Sequence, residues 1–166
     1  MHTFTEEETK QFLARLERRA SGANMLIEDE QGRLLTVKMN YESHWGLPGG
    51  WVEGDETPLQ TALRETREEL QLDLSPDTIQ FVRLIDMRYH LGHIYISIFR
   101  LMEPVTNVQI SLQENELEEY GWVTKEQVLS GEDGRAYSYA INLWAADDSS
   151  AYNELDQTTI PSSDQS

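Results

Sequence analysis

At 166 residues the chain can bury one core but not two ordinary globular units, and its 39% hydrophobic content, with Trp, Tyr and Phe present, excludes a wholly disordered polymer. A formal net charge of −17, from 30 Asp and Glu against 13 Lys and Arg, repels polyanions, and no basic stripe replaces the counterions of a nucleic-acid backbone, so long DNA or RNA is not the expected partner. The absence of cysteine excludes disulfides, thiolate zinc sites and cysteine nucleophiles; the acidic start, MHTFTEEETK, and the lack of a run of roughly 18 apolar residues point to a cytoplasmic protein with no membrane contact.

Thr5 and Glu8 form a capping box for a helix expected over 5–20, with Phe12, Leu13, Leu16 and Ala20 at helical spacing. Apolar-rich runs at 24–29 and 33–39 flank Gln31-Gly32 and predict a hairpin. The glycine-rich, irregular HWGLPGGWVEGDE follows, and then Thr57, Pro58 and Gln60 cap a helix over 58–70. Strands over 79–89 and 94–102, joined at Leu91-Gly92-His93, predict a second hairpin. QENELEEY reads as an acidic loop before a short apolar piece at 121–123. Thr124 and Gln127 cap a brief helix, and Tyr137, Ala140, Ile141 and Trp144 repeat at helical spacing. From Asp147 onward the chain is too polar to offset ordering entropy, so the expected organisation is one domain over 1–146 and a mobile tail over 147–166.

The chemistry concentrates on the helix over 58–70. Leu59, Ala62, Leu63, Thr66 and Leu70 fall within about 40° of one line on the helical wheel and form its buried face. Glu65, Glu68 and Glu69 cluster between roughly 180° and 280°, where like charges destabilise a helix unless something offsets them. Arg64 neutralises part of this charge. A divalent cation would neutralise most of it, and carboxylate oxygens suit Mg2+ or Mn2+. The plainer reading is a solvated acidic face. The loop before the helix favours a site: Gly49-Gly50 permits close backbone approach, Pro48 rigidifies the entry, and Glu56 stands beside the helix N-terminus.

Gly50, five residues, Glu56, seven residues, Arg64-Glu65, two residues and Glu68-Glu69 together resemble the Nudix box of the Nudix hydrolases, here spanning Gly50 to Leu72. Leu47-Pro48-Gly49 is also typical of that family. Two positions depart: Thr66 replaces the usual aliphatic residue, and Gln71 replaces the glycine that ends the helix, which implies a different turn or a left-handed residue. The resemblance covers about 24–128. It implies an α/β fold, an α/β/α sandwich with a mixed β-sheet flanked by helices, and a metal-dependent hydrolase that cleaves a pyrophosphate linkage in a nucleoside diphosphate derivative by water attack on phosphorus. Carried over residue by residue, it makes Glu65, Glu68, Glu69 and the Gly49 carbonyl the metal ligands, has Arg64 orient a glutamate, and has Glu56 support the loop. Many relatives pair, so a homodimer is a further expectation.

The general base is expected at Glu65 or at one of Glu114, Glu116 and Glu118, with Glu65 and Glu116 first; the catalytic set is thus Arg64, Glu65, Glu68 and Glu116. Trp45 and Trp51 could stack a nucleobase, though a core role is the simpler assignment for both. Arg88, Tyr89, His90 and His93 crowd the second hairpin tip as either a clasp for phosphate or an exposed polar turn. A nucleotide-sensing module on the same fold is the alternative function, and retention of every box carboxylate argues against it.

Overall fold

A computed structural model describes residues 3–89, 92–113 and 116–158. The Thr5–Glu8 capping box starts helix α1 (Glu6–Leu13), which ends at Leu13 rather than near residue 20. The helix buries none of its residues, so packing does not sustain further turns, and Ala20 is taken instead by strand β1 (Ala20–Leu26), paired with Ile94.

The turn at Gln31-Gly32 is present, with Gly32 at φ 71° and Asp29 Oδ1 accepting from the N–H groups of Gln31 and Arg33 at 3.0 and 2.9 Å. Its two arms do not form the expected single hairpin, because β1 and β2 (Leu34–Met39) diverge into different sheets after a few bridging bonds. The remaining elements are β3 (Trp45–Gly46), β4 (Gly49–Trp51), α2 (Pro58–Leu70), β5 (Ile79–Tyr89), β6 (Gly92–Leu101), β7 (Leu117–Val123), α3 (Lys125–Ser130), α4 (Tyr139–Ala145) and β8 (Tyr152–Asp156). A five-stranded mixed sheet runs β4-β1-β6-β5-β8, and an antiparallel sheet of three runs β3-β2-β7.

Alternation along β1 sorts the core. Ala23 and Met25 pack with Leu35, Val37, Ala62 and Leu70 beneath α2, while Leu26 joins Leu34, Ile98, Val128, Ile141 and Trp144 beneath α3 and α4. This is the mixed sheet flanked by helices that the resemblance implies. No helix among the described residues is long and apolar enough to cross a membrane.

Two polar segments are more ordered than their composition suggests. The second half of the acidic QENELEEY segment, from Leu117, belongs to β7, where register with β2 and burial of Leu117 outweigh the charge of Glu118 and Glu119. In the segment expected to be a mobile tail, β8 pairs in parallel with β5 from Leu84↔Tyr152 to Arg88↔Asp156. Tyr152 Oη donates to Asp86 Oδ2 at 2.9 Å and Arg88 meets Glu154 at 2.6 Å, so backbone pairing and polar contacts hold this strand without an apolar run. Residues 159–166 of that segment lie outside the described residues.

Helix α2 follows its sequence signals from end to end, with a complete Thr57–Gln60 capping box. At its C-terminus Gln71 sits in the left-handed region at φ 56°, ψ 32°. A side chain there carries a steric cost that glycine lacks, so Gln71→Gly is expected to stabilise the fold by about 1 kcal/mol, read as a rise of a few degrees in melting temperature.

Candidate active site

Gly49 places the loop. Its φ of 147° and its pairing opposite Asn24 bring β4 so close to β1 that a Cβ would approach Asn24 Cα within 2.7 Å. In this position the Gly49 N–H donates to Glu69 Oε2 at 2.9 Å, and the neighbouring Gly50 leaves the space that the Glu65 carboxylate fills. The Gly49 N–H thus ties the loop to the helix at Glu69.

Arg64 links the loop to the helix. Its Nε donates to Glu56 Oε1 at 2.8 Å and its Nη2 to Glu56 Oε2 at 3.1 Å, while Nη1 donates to Glu65 Oε1 at 2.9 Å and Glu68 Oε2 at 3.0 Å. Nη2 also reaches the Trp51 carbonyl at 3.3 Å. The Arg64 hydrogen bonds, helped by Thr61 Oγ1 donating to Glu56 Oε2, hold the Glu56 carboxyl down at about 2. Thr66, the departure from the family pattern, is fully buried because its hydroxyl donates back to the Ala62 carbonyl at 2.7 Å.

The three box glutamates differ in burial. Glu68 is half exposed, Glu65 is mostly enclosed, and Glu69 is only 2% exposed. Burial pushes the Glu69 carboxyl up to about 8; the Gly49 N–H opposes that rise, and the nearby charges of Glu65, Glu116 and Glu68 add to it. Burial likewise raises Glu65. Arg64 engages three of these carboxyls, Glu56, Glu65 and Glu68, and Glu69 and Glu116 add two more beside them, so acidic groups outnumber the arginine.

That surplus and its oxygen donors fit a hard divalent cation. Among the described residues no three carboxylates already converge as a preformed coordination shell, because Arg64 engages Glu65 and Glu68 and the Gly49 N–H engages Glu69. A cation would compete with these partners for the same oxygens.

Glu65, Glu69 and Glu116 line a cleft of about 520 Å3 that also takes in Gly49, Gly50 and Trp51. Glu118 is turned away to Lys38 at 3.7 Å, which leaves Glu116 as the loop carboxylate facing the cleft; Glu114 lies outside the described residues. The two tryptophans part company. Trp45 is 6% exposed with Arg135 stacked on its ring at 4.1 Å, whereas Trp51 is 54% exposed in the cleft, so the core assignment holds for the first alone.

At the second hairpin Arg88 pairs with Glu154, and His93 contacts both Asp86 and Arg19, while Tyr89 lines the cleft; His90 lies outside the described residues. Sequence reasoning passed over Asn24, whose Nδ2 donates to the Leu47 carbonyl at 3.3 Å within the cleft, and Tyr41, whose hydroxyl is raised by burial and then by the surrounding glutamates. A lone Asn within an apolar strand was the available signal for the first.

The NUDIX domain family profile matches residues 18–142. An RNA pyrophosphohydrolase from Acinetobacter baylyi is 26% identical over 118 residues, which cover 60% of this chain and 70% of that protein. The asymmetrical bis(5'-nucleosyl)-tetraphosphatase of Sus scrofa is 50% identical over 46 residues, 28% of this chain and 31% of the relative, so the chain spans less than a third of that protein. In three dimensions the MutT protein of Methanosarcina mazei superposes with a TM-score of 0.65 at 24% identity, covering 80% of this chain and 96% of that one, a likeness of fold. Profile, fold and loop-to-helix geometry converge on one assignment: the chain belongs to the Nudix family.

Proposed function

We propose that the chain is a divalent-metal-dependent pyrophosphohydrolase acting on a nucleoside diphosphate derivative. The observation that carries this reading is a carboxyl, Glu69, buried beside Glu65 and Glu116 at the end of an open cleft, an arrangement of oxygen donors that a divalent cation would balance. The names of the Acinetobacter and Sus scrofa relatives, a pyrophosphohydrolase and a tetraphosphatase, agree with it.

Glu65, Glu68 and Glu69 would hold Mg2+ or Mn2+. A bound cation supplies polarisation of phosphoryl oxygens and a lowered pKa for bound water. Arg64 fixes the positions of Glu65 and Glu68, and Glu56 holds Arg64 against the loop. Glu65 or Glu116, both facing the cleft, takes the proton of the attacking water as its oxygen bonds to phosphorus and the bridging P–O bond breaks.

The test is phosphate release from nucleoside triphosphates, ADP-ribose, sugar nucleotides and dinucleoside polyphosphates, with Mg2+ or EDTA, for wild type and Glu69→Gln. Turnover that needs Mg2+ and disappears in the variant is expected. Tight nucleotide binding without turnover would favour the sensing module instead.

A further inference from the structure

The cleft has two unlike ends. At one stand Glu65, Glu69 and Glu116; the other is a wall supplied by the face of the five-stranded sheet. Residues opposite each other in a ladder project to the same side, and the register places Trp51, Gly22, Ile96 and Ile85 in one cross-strand row, with Ile94 opposite Met87 in the next.

Every one of these residues lines the cleft. Trp51 and Ile96 close over the bare backbone of Gly22, where a Cβ would meet Ile96 Cδ1 at 2.8 Å and Trp51 Cε3 at 3.7 Å. The result is a flat apolar shelf with an exposed indole at its edge, next in sequence to the glycine that accommodates Glu65.

The charge of the cleft is equally one-sided. All 13 Lys and Arg residues are among those described, and none lines it, whereas Glu42 and Glu53 add to the three carboxylates above. Arg64, behind the glutamates, is fully engaged by Glu56, Glu65 and Glu68. Cations held at the glutamate end could balance phosphates beside the scissile linkage. A longer polyanion would meet no lysine or arginine along the cleft and several carboxylates. Beyond Tyr89 a second cleft carries Arg18, Arg19 and Arg88, but Arg19 contacts Glu17 and Arg88 contacts Glu154.

Resting on the pyrophosphohydrolase reading, we infer that the apolar wall is a nucleoside pocket with Trp51 as its stacking residue. The substrate is then a free nucleotide carrying one uncharged ring system beyond its phosphates, rather than the 5'-phosphorylated end of a nucleic acid. Stacking on Trp51 positions the ring, and the glutamate end receives the phosphates.

The experiment compares kcat and KM with Mg2+ for ATP and for a short 5'-triphosphorylated oligoribonucleotide, alongside calorimetric binding of AMP. ATP is expected to be preferred by about 100-fold or more in kcat/KM, since the oligonucleotide gains no counterion-releasing contacts here. Trp51→Ala should raise the KM for ATP and the Kd for AMP by about 10- to 100-fold with little change in kcat, and Trp51→Phe should restore most of the loss, as expected of base stacking. Met87→Lys, which puts a cation on the wall, should narrow the gap between the two substrates.

Equal or better use of the oligonucleotide would overturn the inference and direct attention to Arg18, Arg19 and Arg88. AMP binding indifferent to Trp51→Ala would also overturn it. Absence of turnover on both substrates would sink the pyrophosphohydrolase reading alone, because the effect of Trp51→Ala on AMP binding decides the pocket independently.

Discussion

Replacing Glu69 by Gln should abolish turnover, by about 1000-fold or more, and yet stabilise the metal-free protein at pH 8. The two effects have one cause. The folded-state pKa of this carboxyl, about 8, lies above its ordinary value of 4.5. Between these pH values the folded chain keeps a proton that the unfolded chain has released, so raising the pH through this window weakens the fold. In EDTA the melting temperature of the wild type is therefore expected to fall between pH 5 and pH 8 by on the order of 5–10 °C, with Glu69 as the principal contributor.

Gln is nearly isosteric, still accepts from the Gly49 N–H and carries no charge, so the variant should show a flatter profile and the higher melting temperature at pH 8. Adding Mg2+ at pH 8 should raise the wild type and leave Glu69→Gln almost unmoved. Parallel pH profiles for the two proteins in EDTA would show that Glu69 is not the strained group.

The second large effect belongs to backbone. Gly49→Ala requires an L-residue to hold φ 147° while its Cβ overlaps the Ala23 carbonyl oxygen and approaches Asn24 Nδ2 within 2.5 Å. The obstructing atoms include main chain of β1, a central strand, so β4 must withdraw and take the Gly49 N–H away from Glu69. A loss of about 3 kcal/mol or more in urea denaturation is expected, together with loss of any stabilisation by Mg2+. Gly92→Ala is the control: it meets nothing within 4 Å, and its effect should stay within about 0.5 kcal/mol. Similar midpoints for the two variants would remove the close approach of β4 and β1 from the account.

Helix α2 was legible in the sequence because each signal is local: Thr57 and Gln60 at one end, the spacing of Ala62, Thr66 and Leu70, and the clustering of Glu65, Glu68 and Glu69. The burial of Glu69 was not, because a wheel describes a helix alone and β4 is what encloses this side chain. The same limit explains the tryptophans. Trp45 and Trp51 have similar neighbours along the chain, but the pairing of β4 with β1 turns the second into the cleft, and such pairing is set by contacts distant in sequence.

Segments whose strand pairing is set by contacts distant in sequence were the least legible. The turn at Gln31-Gly32 was correctly placed, yet nothing nearby dictates that β1 and β2 enter different sheets. Strand β7 was hidden by the charges of Glu118 and Glu119, and β8 by a composition resembling a solvated tail.

Strand β8 also bears on how copies of this protein meet at high concentration. Without it, the long β5 would present a row of unpaired amides and carbonyls beside exposed Phe81, a template on which another chain could add a strand. The β8 segment occupies much of that row and substitutes an edge of five residues bearing Glu154 and Asp156. On a protein with a net charge of −17, such an edge meets its own copy with like charge, so strand β8 disfavours edge-to-edge pairing between copies.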